Sequence, residues 1–428
     1  MSITETFEYI HSVKWQGSKP GLGRIKELLK ALRNPEKQLK FIHVAGTNGK
    51  GSTSVCIATV LERTGYKTGL FISPYVLRFN ERIQVNGKHI TDDELEQAIN
   101  EIRPFADAME DAPTEFEMIT ALAMRYFLVN CCDIVVLEVG MGGRLDSTNV
   151  IPTPELAVIT AIGYDHVKEL GPTLTDIARE KAGIIKSDGD ILIYGGERNV
   201  ERVFEHAASE CGARLRKADF TRINGQEFSF KYIKLNIEQY GEIKLPLVGS
   251  YQPKNATVAI TAFEILREKG YDISDADIIA GLASVKWPGR FEVLGYKPIF
   301  ILDGSHNPQG MEVTADSLRC YFNDRKMIFI VGVMADKDVD SMLTHIVPLA
   351  VTIIAVKPDH ERAMCSRELA ERVTQHGVQV FDCGTVGKGV SKAFGIAGEE
   401  GIICALGSLY FSAEIRAAYN ETTHALLN

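Results

Sequence analysis

Phe41-Ile-His-Val-Ala-Gly46-Thr-Asn-Gly49-Lys50-Gly51-Ser52 opens as an apolar run of strand length, turns through a glycine loop and enters a stretch from Thr53 to Thr64 that reads as a helix. Strand, loop and helix in this order surround a phosphate. Backbone N–H groups of the loop and the helix N-terminus point at the anion, and a lysine reaches its outer oxygens. Thr47, Asn48, Gly49, Lys50, Gly51 and Ser52 are therefore candidate nucleotide contacts. A glycine-rich turn with a surface lysine is the plainer reading, but it leaves the order of the three elements unexplained. The strict pattern G-x-x-x-x-G-K-[ST] fails twice, since Val44 stands where the first glycine belongs and Gly51 follows the lysine. With no hydroxyl directly after Lys50, a Mg²⁺ ion has to find other ligands.

Working outward, short apolar strands alternate with amphipathic helices, the pattern of parallel sheets wrapped by helices. Phe41–Ala45, Lys67–Ile72, Ile134–Val139, Leu156–Ala161 and Asp190–Tyr194 are expected strands. From Ala213 to Val248 the segments shorten and alternate around Asn224-Gly225 and Tyr240-Gly241, which predicts a small antiparallel meander on the parallel sheet. Helices are expected from Pro253 to Lys269 and from Ser274 to Ser284. Strands at Ile299–Leu302, Met327–Val333, Val351–Val356, Val378–Phe381 and Ile402–Leu406 then give a second, Rossmann-like α/β unit of about 130 residues. The expected fold is thus α/β: a phosphate-loop domain over 1–296 with a parallel sheet and the meander, then the smaller domain over 297–428.

The composition suits this. Of 428 residues 45% are hydrophobic and 24% charged, the balance of a globular protein large enough for two domains. The net charge of −9 comes without runs of one sign, so neither nucleic acid nor an acidic membrane surface is an expected partner, and small molecules are. The eight cysteines contain no C-x-x-C pair and read as reduced, buried thiols of a cytoplasmic protein. The N-terminal Met1-Ser-Ile-Thr-Glu-Thr-Phe-Glu does not read as a signal peptide, and nowhere do 18 apolar residues run together.

Chemistry-bearing residues fall at strand ends, where parallel sheets gather their ligands. Val135-Val-Leu-Glu138 delivers a carboxylate that is costly to bury unless it is paired or bound to metal; an ion pair with Arg144 is the alternative. Asp165-His166 follows the next strand and Ser73 closes an earlier one, so Ser73, Glu138 and His166 make a candidate set of metal ligands.

These residues belong to a longer series. Gly46–Ser52, Ser73-Pro-Tyr-Val-Leu-Arg-Phe-Asn-Glu-Arg82-Ile, Glu138-Val-Gly-Met-Gly-Gly-Arg-Leu-Asp-Ser-Thr-Asn149, Asp165-His166 leading to Ile177-Ala-Arg-Glu-Lys181-Ala-Gly-Ile-Ile-Lys186, Trp287-Pro-Gly-Arg290, Asp303-Gly-Ser-His306-Asn-Pro308 and Gly407-Ser408-Leu-Tyr410 run in order along the chain. Together they resemble the folylpolyglutamate synthase/dihydrofolate synthase family of the Mur ligase superfamily. Single motifs are shared with the Mur ligases of cell-wall synthesis, while Ser73–Ile83 and Asp303–Pro308 favour the folate branch.

The resemblance implies an ATP-dependent ligase that joins L-glutamate to a folate, to dihydropteroate, or to both, through an acyl phosphate. A UDP-muramyl amino acid ligase and a phosphate-loop hydrolase are the competing readings. By resemblance, the glycine loop holds ATP phosphates, and Ser73, Glu138 and His166 hold two Mg²⁺ ions with a carbamylated Lys181. Unaided, Lys181 reads as a surface lysine paired with Glu180. Asn255 resembles an adenine contact, Arg290 a β/γ-phosphate contact and Asp303 a ribose contact. His306 would lie near the incoming amino acid, and Arg82 near the carboxylates of the pterin-linked acid or of glutamate. An Asx turn explains Asp303 without a ligand. A monomer is expected.

Overall fold

The computed structural model describes residues 3–12, 21–323 and 325–427; the first two residues of the N-terminal stretch read above lie outside them. The first sheet has eight strands: β1 (Phe41–Ala45), β2 (Thr68–Phe71), β3 (Ile83–Val85), β4 (Lys88–His89), β5 (Ile134–Glu138), β6 (Leu156–Ile159), β7 (Asp190–Ile193) and β8 (Arg214–Lys217). Their order is β4-β3-β2-β5-β1-β6-β7-β8. From β2 to β8 neighbouring strands run parallel, and β3 and β4 add an antiparallel edge. Every residue of β1, β5 and β6 is buried, as expected of parallel strands covered on both faces. The chain leaves β1 toward β2 on one side and later returns past it to β6 on the other. The carboxyl end of β1 is therefore a topological switch point, where open α/β sheets bind ligands.

A three-stranded sheet follows, β9 (Ile223–Phe228), β10 (Ile233–Ile237) and β11 (Gly241–Leu245). The second α/β sheet contains β12 (Glu292–Tyr296), β13 (Ile299–Leu302), β14 (Met327–Val331), β15 (Ala350–Lys357), β16 (Gln379–Thr385) and β17 (Ile402–Leu406) in the order β12-β13-β17-β14-β15-β16. Only β12 is antiparallel to its neighbour.

Four expectations are corrected. Arg214–Lys217, placed in the meander by its sequence, pairs in parallel with Asp190–Ile193 and ends the large sheet. Asn224-Gly225 lies inside β9 rather than at a turn, and the turns fall at Ser229–Tyr232 and Glu238–Tyr240, where Ser229 N donates to the Tyr232 carbonyl. The boundary expected at 296/297 cuts the β12–β13 hairpin. The chain instead forms one compact unit from residues up to Ile223, Glu238–Tyr240 and Lys254–Val285, and another from Asn224–Ile237, Gly241–Pro253 and Lys286 onward. Aromatic packing gives the reason: the Phe228 and Phe230 rings each lie 5.4 Å from Tyr321, so the small sheet has its apolar partners in the second unit. The eight cysteines are all free, but only Cys56, Cys132 and Cys404 are buried; Cys320 and Cys365, for instance, are exposed.

Candidate active site

The loop after β1 is shaped by two glycines that no other residue can replace without displacement. A Cβ at Gly46, whose φ is +148°, would lie 1.9 Å from Thr160 Oγ1, and one at Gly49, φ +87°, would lie 2.7 Å from Asn255 Oδ1. The loop is pinned to the end of β6 by Thr47 N and Asn48 N, which donate to the Ala161 carbonyl at 2.8 and 3.2 Å, and by Thr47 Oγ1, which donates to the Gly163 carbonyl at 3.0 Å. Gly49 caps the helix Lys50–Arg63, which begins three residues earlier than the sequence suggested and so takes in Lys50, Gly51 and Ser52. That places the helix N-terminus, the positive end of its dipole, inside the loop. Asn255, buried in the first turns of the helix Gln252–Glu268, lies against this loop.

Two lysines converge on one carbonyl. Lys50 Nζ donates to the oxygens of Gly46 and Thr47 at 3.1 and 3.2 Å, and Lys181 Nζ donates to the same Gly46 oxygen at 2.8 Å. Lys181 is 4% exposed. Its helix, Leu174–Ala182, is started by Thr173 and Asp176 bonding to each other's backbone N–H groups. Desolvation pushes the Lys181 ammonium down to about 7, the charge of Lys50 adds to this, and Asp165 and Asp146 oppose it. The surface pairing with Glu180 is not made: Glu180 pairs with Arg144, whose Nη2 is 2.8 Å from its carboxylate. That ion pair also removes the alternative partner proposed for Glu138.

Glu138 ends β5, is 4% exposed, and accepts from Ser73 N at 3.1 Å. Ser73 Oγ accepts from Arg82 Nη1 at 3.2 Å, and the guanidinium lies over the Tyr75 and Phe79 rings at 5.2 and 5.6 Å. The Ser73–Arg82 loop is held from within by the Glu81 carboxylate, which accepts from the amides of Val76, Leu77 and Arg78. Carboxylate and hydroxyl oxygens are the donors a hard divalent cation takes, so Ser73 and Glu138 fit Mg²⁺. His166 is exposed, in left-handed conformation, with Nε2 3.9 Å from Asp165 Oδ2. Among the described residues no three His, Cys, Asp or Glu side chains converge as a metal site.

Downstream of Glu138 the sequence reading missed a buried polar cluster. Asp146 accepts from Met141 N, Thr148 N and Thr148 Oγ1, while Asn149 Nδ2 donates to the carbonyls of Arg144 and Gly183 at 3.1 and 2.9 Å. Burial pushes the Asp146 carboxyl up against these donors. The only signal in the sequence was the polar run Asp146-Ser-Thr-Asn149 between apolar segments.

In the second unit, Asp303 ends β13 at 1% exposure. It accepts from Phe291 N at 2.8 Å, Ser305 N at 3.0 Å and Thr314 Oγ1 at 2.8 Å, so it makes the Asx turn and ties the helix Pro308–Phe322 to it. His306 Nδ1 donates to the Gly304 carbonyl at 2.8 Å. A Cβ at Gly304 would lie 3.1 Å from Arg290 Nη1, which brings that guanidinium to the same turn. Ser408, 1% exposed, accepts from Tyr410 N at 3.1 Å.

A phosphate-loop domain carrying a lysine-rich switch point, joined to a Rossmann-like domain, defines the class of the Mur ligases. The Mur ligase middle domain matches residues 44–263 and the Mur ligase glutamate ligase domain residues 289–409. The chain belongs to the folylpolyglutamate synthase/dihydrofolate synthase family within that class. It is 37% identical to the dihydrofolate synthase/folylpolyglutamate synthase of Bacillus subtilis over 95% of this chain and 97% of that one. Folylpolyglutamate synthase of Mycobacterium tuberculosis complexed with ADP and AMPPCP superposes with a TM-score of 0.90 at 28% identity over 98% and 99% of the two chains. Escherichia coli FolC in complex with DHPP and ADP gives 0.87 at 27% identity over 99% of each. Members of this family are ATP-dependent ligases. Among the described residues no helix is long and apolar enough to cross a membrane.

Proposed function

We propose that this chain adds L-glutamate to the carboxylate of a folate, and of dihydropteroate, by first transferring the γ-phosphoryl group of ATP to that carboxylate. The observation that carries the proposal is the pair Lys50 and Lys181 on the Gly46 carbonyl, beside a strand-end Glu138 held by the Ser73 amide.

Joining a carboxylate to an amine in water is uphill, so the acid needs a leaving group. A carboxylate oxygen attacks the γ-phosphorus, ADP leaves, and the acyl phosphate is opened by the glutamate amine to give amide and phosphate. Carboxylate and triphosphate repel, and the charge of Lys50 together with the amides of Thr47–Ser52 offsets that repulsion. Arg290 is assigned to the β/γ-phosphates, Asn255 to adenine and Asp303 to the ribose. Arg82, presented by the rigid Ser73–Arg82 loop, is assigned to the carboxylates of the acid, and His306, with Nδ1–H fixed, to the amino acid. Ser73, Glu138, His166 and a carbamylated Lys181 would hold two Mg²⁺ ions, which would supply further neutralisation of phosphate charge. Carbamylation needs a neutral amine: the Lys181 nitrogen attacks CO₂ and one proton is released. The lowered pKa of the buried Lys181 supports this. Free cysteines and an unremarkable charge suit a cytoplasmic monomer.

The test is ADP release from purified protein. Release that requires both a folate acid and L-glutamate marks the ligase; release that is indifferent to the amino acid marks a hydrolase or kinase and overturns the proposal.

A further inference from the structure

His43 is wholly buried in the middle of β1, opposite Leu137 of β5 and Ala157 of β6. Aliphatic residues fill such positions, and an imidazole there is costly unless its nitrogens are paired. Its Nε2 lies 2.8 Å from Thr148 Oγ1, and that hydroxyl lies 2.5 Å from Asp146 Oδ1. A threonine hydroxyl has a single proton. With that proton given to the carboxylate, the hydroxyl can only accept from the ring, which fixes the His43 proton on Nε2 and leaves Nδ1 a bare acceptor. Nδ1 is buried with no hydrogen-bond partner among the described residues. Desolvation, with the Lys186 charge adding to it, holds the ring's pKa down to about 3, so it is neutral at any working pH. An aliphatic side chain would avoid the unmet acceptor, so the histidine is retained at a cost to stability.

We propose that His43 is a positioning residue: through the Thr148 hydroxyl it locks Asp146, and through Asp146 it sets the loop from Gly140 to Asn149 on which the placement of Glu138 and Lys181 depends. Asp146 Oδ2 accepts from Met141 N at 2.9 Å, three residues after Glu138, and Oδ1 accepts from Thr148 N at 3.0 Å. The same loop is packed on the Lys181 helix. Arg144 N donates to the Glu180 carbonyl at 2.7 Å, and a Cβ at Gly143 would lie 3.0 Å from Lys181 Cα. Three residues after His43, Gly46 presents the carbonyl that receives both lysines. One buried side chain thus joins the strand of the phosphate loop, the segment after Glu138 and the helix of Lys181. The inference rests on the proposed roles of Glu138 and Lys181.

Four variants test it: His43→Leu, His43→Gln, Thr148→Val and the double variant His43→Leu/Thr148→Val. Glutamine keeps an N–H donor of similar reach; leucine keeps only volume. His43→Leu is expected to melt within a few degrees of the wild type yet lose roughly 10- to 100-fold in kcat, the scale of a small misplacement of reacting groups, with the KM for ATP little changed. Thr148→Val should lose a similar factor, the double variant no more than either alone, and His43→Gln should regain most of the loss. In ¹⁵N NMR of the wild type, His43 should show an unprotonated Nδ1 and no titration from pH 5 to 9. A wild-type kcat in His43→Leu, losses that multiply in the double variant, or a His43→Gln as slow as His43→Leu would each overturn the proposal. Should His43→Leu fail to fold, Thr148→Val, His43→Gln and the NMR tautomer decide. A wild type without folate- and glutamate-dependent ADP release defeats the functional reading itself, whereas an active wild type with unaffected variants defeats only the positioning role.

Discussion

Lys50 illustrates how little of a residue's function its fold requires. Its ammonium rests on loop carbonyls and its stem starts a helix whose core is formed by Val55, Ile57, Val60 and Leu61. Lys50→Ala should therefore fold and melt like the wild type while losing at least ~100-fold in turnover, because the charge proposed to meet the transferring phosphoryl group is gone; kcat and thermal melts measured together check both halves. Glu138→Gln preserves shape and the bond from Ser73 N, but a neutral amide is a poor ligand for a hard cation. Its activity should fall by a similar factor at ordinary Mg²⁺, which a Mg²⁺ titration of the rate would show. Lys181 carries a stability cost that can be read out by pH. In the unfolded chain its amine titrates at the ordinary 10.5, in the fold at about 7, so between these values the unfolded state binds the extra proton and stability rises with pH. Below about 7 the cost is fully present. In CO₂-free buffer, Lys181→Met should be more stable than the wild type at pH 7, the gap should close toward pH 10.5, and the variant should be nearly inactive. Short carboxylates added to Lys181→Ala should restore part of the activity by standing in for the proposed carbamate.

At the scale of elements, the phosphate loop is specified by steric exclusion as much as by charge. Gly46→Ala forces a methyl group into the Thr160 side chain from a backbone conformation that favours glycine, so it should destabilise the first unit by roughly 2 kcal/mol or more, measurable by urea unfolding. The runs that became β1, β13 and β17 were legible to the residue because strands buried on both faces need predominantly hydrophobic sequence, broken only at His43 in β1. Arg214–Lys217 was not. It is an edge strand with one apolar residue, and only its pairing with β7 makes it parallel. The hairpin Ile83–Val85 and Lys88–His89 carried a usable signal in Asn86-Gly87, both at positive φ, which went unread because its strands are only three and two residues long. In the site, Ser73, Glu138 and Lys50 could be seen from their places at strand and loop ends. The burial of Lys181 and the cluster of His43, Asp146 and Thr148 could not, since both depend on which segments β1 and the 140–149 loop are brought against.

For the whole molecule, two α/β units of the Mur ligase class are joined in one chain, and the central proposal is that the carboxylate is activated as an acyl phosphate before the amine attacks. The direct measurement is isotopic. A folate acid carrying ¹⁸O in its terminal carboxylate is incubated with ATP, Mg²⁺ and L-glutamate, and the released phosphate is analysed by mass. One labelled oxygen per glutamate added is the expected result, because that oxygen bridges carbon and phosphorus before the amine attacks. Phosphate that carries no label while glutamate is being incorporated would contradict the acyl-phosphate mechanism.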